Sequence, residues 1–315
     1  MSTQTELERN KAIALRFKKS QGTPEMPQVE REVLAPHYAR VRGGGLHLAV
    51  NAKDQGWPPA GMYLRAAFPD RFDRIEQVIA GDDRVGLLFR LNATHTANYC
   101  GIEPTGKRVN VYELAMLRIA NGQMVEGWFM MDESELLLQL GQKLARRADG
   151  AWVVPSLPQA GEDPDVLLRK LDESAEDTQE ARNKRAVVEA FSSRSGAAHP
   201  HVERRAFAHL REDLPAPTPI EQTLRFALAD HRIRVEALIA EGSSVWARIN
   251  FQGRHVKSLY GIAPSGKTIG THVVVMAAFE GAGWSRIWCL GDELGLLLQL
   301  GQPNLLVDAA SAGHK

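Results

Sequence analysis

At 315 residues the chain is long enough for two domains. Lys plus Arg equal Asp plus Glu at 38 each, which argues against a polyanionic partner such as nucleic acid. Two cysteines are too few for a disulfide framework or a zinc set, and no apolar run reaches the length of a membrane span or a signal-peptide core, so a cytoplasmic protein is expected.

Apolar residues at helical spacing predict helices over Leu7–Lys18 and Pro27–Leu34, and a third near Ala60–Ala67. Gly43–Gly45 and Trp57–Pro59 read as loop. Strands are expected at Arg74–Ala80, from Arg84 to about Thr96, at Val109–Ile119 and at Met124–Met131. Asn121-Gly122, between the last two, is a hairpin signal. Lys143–Glu180 reads as a connecting segment with a short helix at Val166–Leu171. Helical patterns then return at Thr178–Phe191, Val202–Leu210 and Ile220–Leu228, followed again by strand-like runs. Helices leading into a curved antiparallel sheet make an α+β domain.

The second round copies the first. His95–Gln142 aligns without a gap to His255–Gln302, an offset of 160. The identities include His95/His255, Gly101/Gly261, Pro104/Pro264, Gly106/Gly266, Trp128/Trp288 and Asp132/Asp292, and Leu136–Gln142 repeats letter for letter as Leu296–Gln302. Nearer the start the offset is 173, from Asn10/Asn183 and from Val29–Arg31 against Val202–Arg204. The first copy therefore carries 13 additional residues, expected within Arg40–Asp70. Copies of this length are fused domains rather than solenoid units. The expected division is 1–145 for the first domain, 146–179 for a linker, 180–305 for the second domain and 306–315 for a tail.

Alternation in the strands selects candidate site residues. Phe89, Leu91 and His95 share one face of their strand by period two, as do Phe251 and His255. Glu126, Trp128, Met130 and Asp132 share a face of the last strand, answered by Arg286, Trp288, Leu290 and Asp292. Both faces are read as inward, bringing His95 with Asp132, and His255 with Asp292, into apolar pockets lined by these neighbours. A buried His–Asp pair suits proton transfer, because burial and coupling move both groups toward neutral pKa values. The plainer reading stays open: each Asp precedes an apolar helical run, as an N-cap does.

Gly261–Thr268 spells the phosphate-loop pattern, yet β-branched residues follow it where a helix is required, and the first copy has Arg108 in place of the hydroxyl. It is read as a connection between strands. No metal-ligand spacing and no nucleophile elbow occurs. Cys100 answers to Tyr260, which favours a structural role.

These residues carry a resemblance. Ala67–Asp70, Thr94–Thr96, Gly101–Gly106, Gly122–Trp128, Asp132 and Leu136–Gly141 resemble the SnoaL-like polyketide cyclase (ester cyclase) family of the NTF2-like superfamily. Arg254-His255, Gly261–Gly266, Trp288, Asp292 and Leu296–Gly301 do so in the second copy. The resemblance implies two tandem cone-shaped α+β barrels, each a curved antiparallel sheet wrapped around helices. It also implies intramolecular aldol chemistry without cofactor or metal. Asp132 and Asp292 match the family's acid/base, and His95 and His255 match the group that polarises an oxygen. The second copy has lost the Ala-Phe-Pro-Asp signature and the 13 residues, and has Arg286 for Glu126. The first copy is thus the better enzyme candidate, and the second is degenerate or mainly a partner.

The expected function is a cofactor-free acid/base enzyme of cyclase, isomerase or lyase type, acting on a small, largely apolar carbonyl or polyketide-like compound. The alternative is a non-catalytic small-molecule-binding or interaction module using the same pockets. The expected partner is a small apolar ligand, with neither nucleic acid nor membrane. The copies are expected to pair as an internal pseudo-dimer, open to further homo-oligomerisation.

Overall fold

The computed structural model describes residues 3–44, 60–146, 149–174, 176–193, 202–204 and 220–312. Helix α1 (Gln4–Lys19) is capped by Thr3, whose hydroxyl accepts from the Glu6 amide, and α2 (Met26–Val33) starts with a proline in its first turn. Strand β1 (Leu34–Arg42) and helix α3 (Ala60–Ala67) follow. A meander comes next: β2 (Phe72–Gly81), β3 (Arg84–Thr94), β4 (Arg108–Ala120) and β5 (Gln123–Met131). Helix α4 (Glu133–Leu140) stops at Gly141, whose φ of 63° favours glycine. Among the described residues no helix is long and apolar enough to cross a membrane.

The remainder contains α5 (Pro164–Glu173), α6 (Gln179–Phe191), β6 (Val202–Arg204) and α7 (Ile220–Ala227). It continues through β7 (Leu228–Glu241), β8 (Ser244–His255), β9 (Thr268–Glu280) and β10 (Gly283–Gly291), and ends in α8 (Glu293–Gln299) and α9 (Leu305–Ala312). The sheets run β1-β5-β4-β3-β2 and β6-β10-β9-β8-β7. In each, the first-named strand is parallel to its neighbour and the rest are antiparallel. Gly261–Thr268 leads into β9, as a connection between strands should.

Several elements differ from expectation: Leu34–Arg42 forms a strand where none was expected, and Leu305–Ala312 forms a helix in the expected tail. Val202–Arg204 is a strand, not a helix, and the rest of Val202–Leu210 lies outside the described residues, as do Gly45 and Trp57–Pro59. Glu203 pairs with Trp288 where Val41 pairs with Trp128. The structural offset here is therefore 162, and the Val-Glu-Arg match to Val29–Arg31 in α2 is fortuitous. Of the 13 additional residues, 173 less 162, or 11, lie between α1 and Arg40, a stretch that includes α2 and the irregular start of β1. Pairing with β10 overrides the local pattern.

The described chain separates into two compact units, Met1–Ser156 with Glu293–Lys315, and Leu157–Asp292. The last two helices thus group with the first unit. Leu294, Leu298 and Val307 are buried in one apolar cluster with Leu136, Leu137, Leu140 and Leu144. Asn304 holds the backbone of Leu144 through two hydrogen bonds of 2.8 and 2.9 Å.

The concave face of the first sheet carries two apolar clusters. Phe17 and Val29 pack against Val85, Leu87, Phe89, Leu117 and Phe129. Further along the strands, Leu91, Ala93, Val109, Val111 and Met131 pack with Phe68 and α4.

Candidate functional site

Register decides which candidates share a face, because residues directly opposite in antiparallel strands lie on the same side. Leu91 opposes Val111, and Phe89 opposes Glu113, which in turn opposes Met131; Ala115 opposes Phe129. His95, by its parity with Phe89 and Leu91, belongs to this inner face. Trp128 opposes Met116, Met130 opposes Leu114 and Glu126 opposes Arg118, all on the other side. In the second unit Phe251 opposes Thr271 on the face of His255, whereas Trp288 opposes Met276 and Leu290 opposes Val274 on the far side. The expectation that Glu126, Trp128, Met130, Trp288 and Leu290 line the same interior as the histidines is corrected. Both sheet faces are buried at β5, so Gly127–Met131 is apolar throughout and alternation carries no direction there.

The histidines are hydrogen-bonded to their own loops. The Nδ1 of His95 accepts from the Thr105 amide at 3.2 Å, which leaves the neutral ring's proton on Nε2. The His95 backbone bonds Lys107 and Gly106, so the residue staples the loop to the strand. His255 repeats this with the Ser265 amide at 3.2 Å. Both Nε2 atoms are buried, without a hydrogen-bond partner among the described residues. Burial lowers both imidazole pKa values, with the backbones of Ala97 and Lys257 opposing. The Phe68 ring stacks on His95 at 5.2 Å.

Asp132 instead caps α4, accepting from the Glu135 amide at 3.0 Å, and its own amide bonds Tyr112. His95 is level with Lys107, which lies five residues from Tyr112 along the chain, or about 16 Å in extended conformation. The Asp292 amide bonds the equivalent His272. The plainer reading of Asp132 therefore accounts for its geometry.

What the inner face does assemble, between its two apolar clusters, is a layer of charge. Asp73 on β2 opposes Leu91, and Glu113 on β4 opposes Phe89. Lys18 reaches Asp73 from α1 at 2.8 Å. Arg71 clamps Asp73 through Nε at 2.7 Å and Nη2 at 2.9 Å, and Glu113 through Nη2 at 2.6 Å. Arg42 of β1 completes the chain at 2.6 Å from Glu113. The Lys18 and Asp73 side chains are 2% and 1% exposed, Glu113 is fully buried, and Arg42 and Arg71 are each 9% exposed.

Burial, aided by Arg71 and opposed by the two carboxylates, lowers the Lys18 pKa to about 8. Its ammonium lies 3.6 Å from the centre of the Phe89 ring. Burial would raise Asp73, but Arg71 and then Lys18 prevail and hold it below the usual range. Arg42 retains a buried Nε–H without a partner among the described residues. Tyr99 borders the layer, its pKa raised by burial and by Cys100 and Glu133. Burial and Glu133 raise the Cys100 thiol as well, which keeps it protonated and unreactive.

Sequence reasoning missed this layer, though a signal exists. Glu113 interrupts the inward series Val109, Val111, Ala115, Leu117, Ile119, and its repeat counterpart is Val273. Asp73 likewise answers to Ile233, Arg71 to His231 and Lys18 to Phe191, so Lys18, Asp73 and Glu113 each meet an apolar residue in the second unit.

Comparison with known proteins agrees with the repeat. The family model for SnoaL-like polyketide cyclases matches residues 62–140 and 216–300, together more than half of the chain. No protein of curated function matches. Similar solved structures include a candidate SnoaL-like polyketide cyclase from Jannaschia sp. CCS1, 18% identical, covering 44% of this chain and 96% of its own, with a TM-score of 0.37. AclR, a candidate hydroxylase from Streptomyces galilaeus, is 25% identical over 43% of this chain and 97% of its own, TM-score 0.35. IdmH, a candidate polyketide cyclase from Streptomyces antibioticus, is 24% identical over 42% and 99%, TM-score 0.36.

Proposed function

Because the chain belongs to the SnoaL-like polyketide cyclase family, we propose that its first unit is a cofactor-free acid/base enzyme of cyclase, isomerase or lyase type, acting on a small, largely apolar carbonyl or polyketide-like compound. The charged layer carries this reading. A buried ion network stabilises a fold less than apolar packing of the same volume would, so its presence in one unit and its replacement by Phe191, Ile233 and Val273 in the other favour a role in chemistry. Asp73 or Glu113 removes a proton α to a carbonyl. The unpartnered Nε–H of Arg42 and the Arg71 guanidinium face the charge that develops on the enolate oxygen. In this reading His95 and Asp132 position the loop and α4 rather than transfer protons, and the second unit supports the first.

The test is incorporation of solvent deuterium α to the carbonyl in a panel of small ketones and 1,3-diketones, followed by mass spectrometry. Exchange above buffer that falls by roughly 10²–10⁴ in Glu113→Gln or Asp73→Asn is expected. Saturable binding of the panel without any exchange would favour the competing reading, a binding module, which the complete mutual pairing of the layer's carboxylates supports.

A further inference from the structure

We propose that Lys18 is a nucleophilic amine that joins a carbonyl substrate covalently, as an imine, inside the first unit. This rests on the reading that this interior takes a carbonyl compound. It differs in making an amine, and not only the carboxylates, act on the reacting carbon.

The neighbours of Lys18 are those an imine-forming lysine needs. Its side chain is 2% exposed and lies against the Phe89 ring at 3.6 Å, with Phe129 at 5.8 Å. Desolvation in such surroundings favours the neutral, nucleophilic amine. A carboxylate, Asp73, stands 2.8 Å from Nζ to accept the proton the amine must lose. Arg71 holds both Asp73 oxygens, so the acceptor is fixed in place, and Glu113 sits across Arg71 as a second base. The lysine lies on the chemistry-bearing unit only, since the second copy has Phe191 at this position. The amine's lowered pKa of about 8 agrees with this arrangement.

The steps balance. Neutral Nζ adds to the carbonyl carbon, a C–N bond forms and the C=O π bond opens to a carbinolamine. One nitrogen proton shifts to the oxygen, and Asp73, holding the proton it first took from the ammonium, delivers that one as well, so water leaves as the iminium C=N bond forms. Loss of an α-proton from the iminium to Glu113 gives an enamine. Its carbon attacks a second carbonyl of the same molecule to make the new C–C bond, Glu113 returns its proton to the resulting alkoxide, and water then hydrolyses the iminium to release product and regenerate the amine.

The experiment uses the full chain with acetylacetone as probe at pH 8, borohydride reduction and peptide mapping by mass spectrometry. Half of an amine with a pKa near 8 is then neutral, roughly a hundredfold more than for an ordinary lysine. A reduced adduct on Lys18 in at least about tenfold excess over Lys19, Lys143 and Lys170 is expected. It should be absent from Lys18→Arg, a variant that keeps the charge and the Asp73 contact, with folding checked by circular dichroism. Adducts spread evenly over exposed lysines, or none at all, overturn the proposal. Deuterium exchange that persists in Lys18→Arg overturns the amine role while leaving the acid/base reading intact. An adduct on Lys18 without exchange supports the amine and removes that reading.

Discussion

The ammonium of Lys18 and the carboxylate of Asp73 lie 2.8 Å apart with both side chains out of water, and the repeat places Phe191 and Ile233 at the same two positions. One protein thus holds an ionic and an apolar version of the same interior. That pairing makes the energetic cost of the ions testable within a single chain.

Removing one partner should be worse than removing all. Glu113→Ala leaves Arg42 and Arg71 buried with a carboxylate missing, and should cost about 3–5 kcal/mol in urea denaturation. Replacing the layer together by apolar residues (Lys18→Phe, Asp73→Ile and Glu113→Val, with Arg42→Met and Arg71→Met) should restore stability to near or above the starting value. Catalysis should not return. A combined variant less stable than Glu113→Ala would show that the ions are needed for folding.

Lys18 sets a pH dependence in the alkaline range. Its pKa in the folded chain is about 8, below the ordinary 10.5, so between those values the unfolded chain binds the proton and the folded chain does not. Stability should therefore rise from pH 8 to 10.5, by on the order of 3 kcal/mol from this group. Thermal melts of Lys18→Met should lack that rise. The two histidines work the same way in the acid range: burial lowers their pKa values, so stability should fall as pH drops below about 6.5.

Asp132 is separable from the chemistry by substitution. Asp132→Asn can keep the bond from the Glu135 amide, and should preserve most exchange activity and most stability. Asp132→Ala should lose about 1 kcal/mol with little further effect on rate. A drop of 10² or more in Asp132→Asn, with folding intact, would return the proton-transfer role to this residue.

Truncation after Asp292 should damage the first unit rather than the second. It strips Leu294, Leu298 and Val307 from Leu136, Leu137, Leu140 and Leu144. Hydrogen exchange should speed up across α4 while β7–β9 stay protected. The point variant Leu298→Ala should cost about 2–5 kcal/mol. Unchanged protection at α4 would refute the shared cluster.

Most elements were legible from the sequence, because α1, α6 and the meander strands each carry a clear period. Two misreadings have separate origins. At Gly127–Met131 both sheet faces are buried, so apolar residues fill every position and parity cannot be assigned. At Val202–Arg204 a three-residue match outweighed a pairing that only the folded sheet reveals. The charged layer was missed because its members come from α1, β1, the residue preceding β2, β2 itself and β4, at positions no spacing rule connects. The charge–apolar differences between copies were visible beforehand, whereas the identities at His95 and Asp132 mark a loop staple and a helix cap.

The bond between Leu144 and Asn304 also orders events in time. A ribosome adding about 5–20 residues per second finishes α4 roughly ten to thirty seconds before α8 emerges. Through that interval Leu136, Leu137, Leu140 and Leu144 lack the side chains that later cover them. The first half of the message therefore encodes a domain that cannot mature on its own schedule. Expressed alone, it should depend on chaperones or precipitate, and a nonsense mutation late in the gene would disable the half translated first.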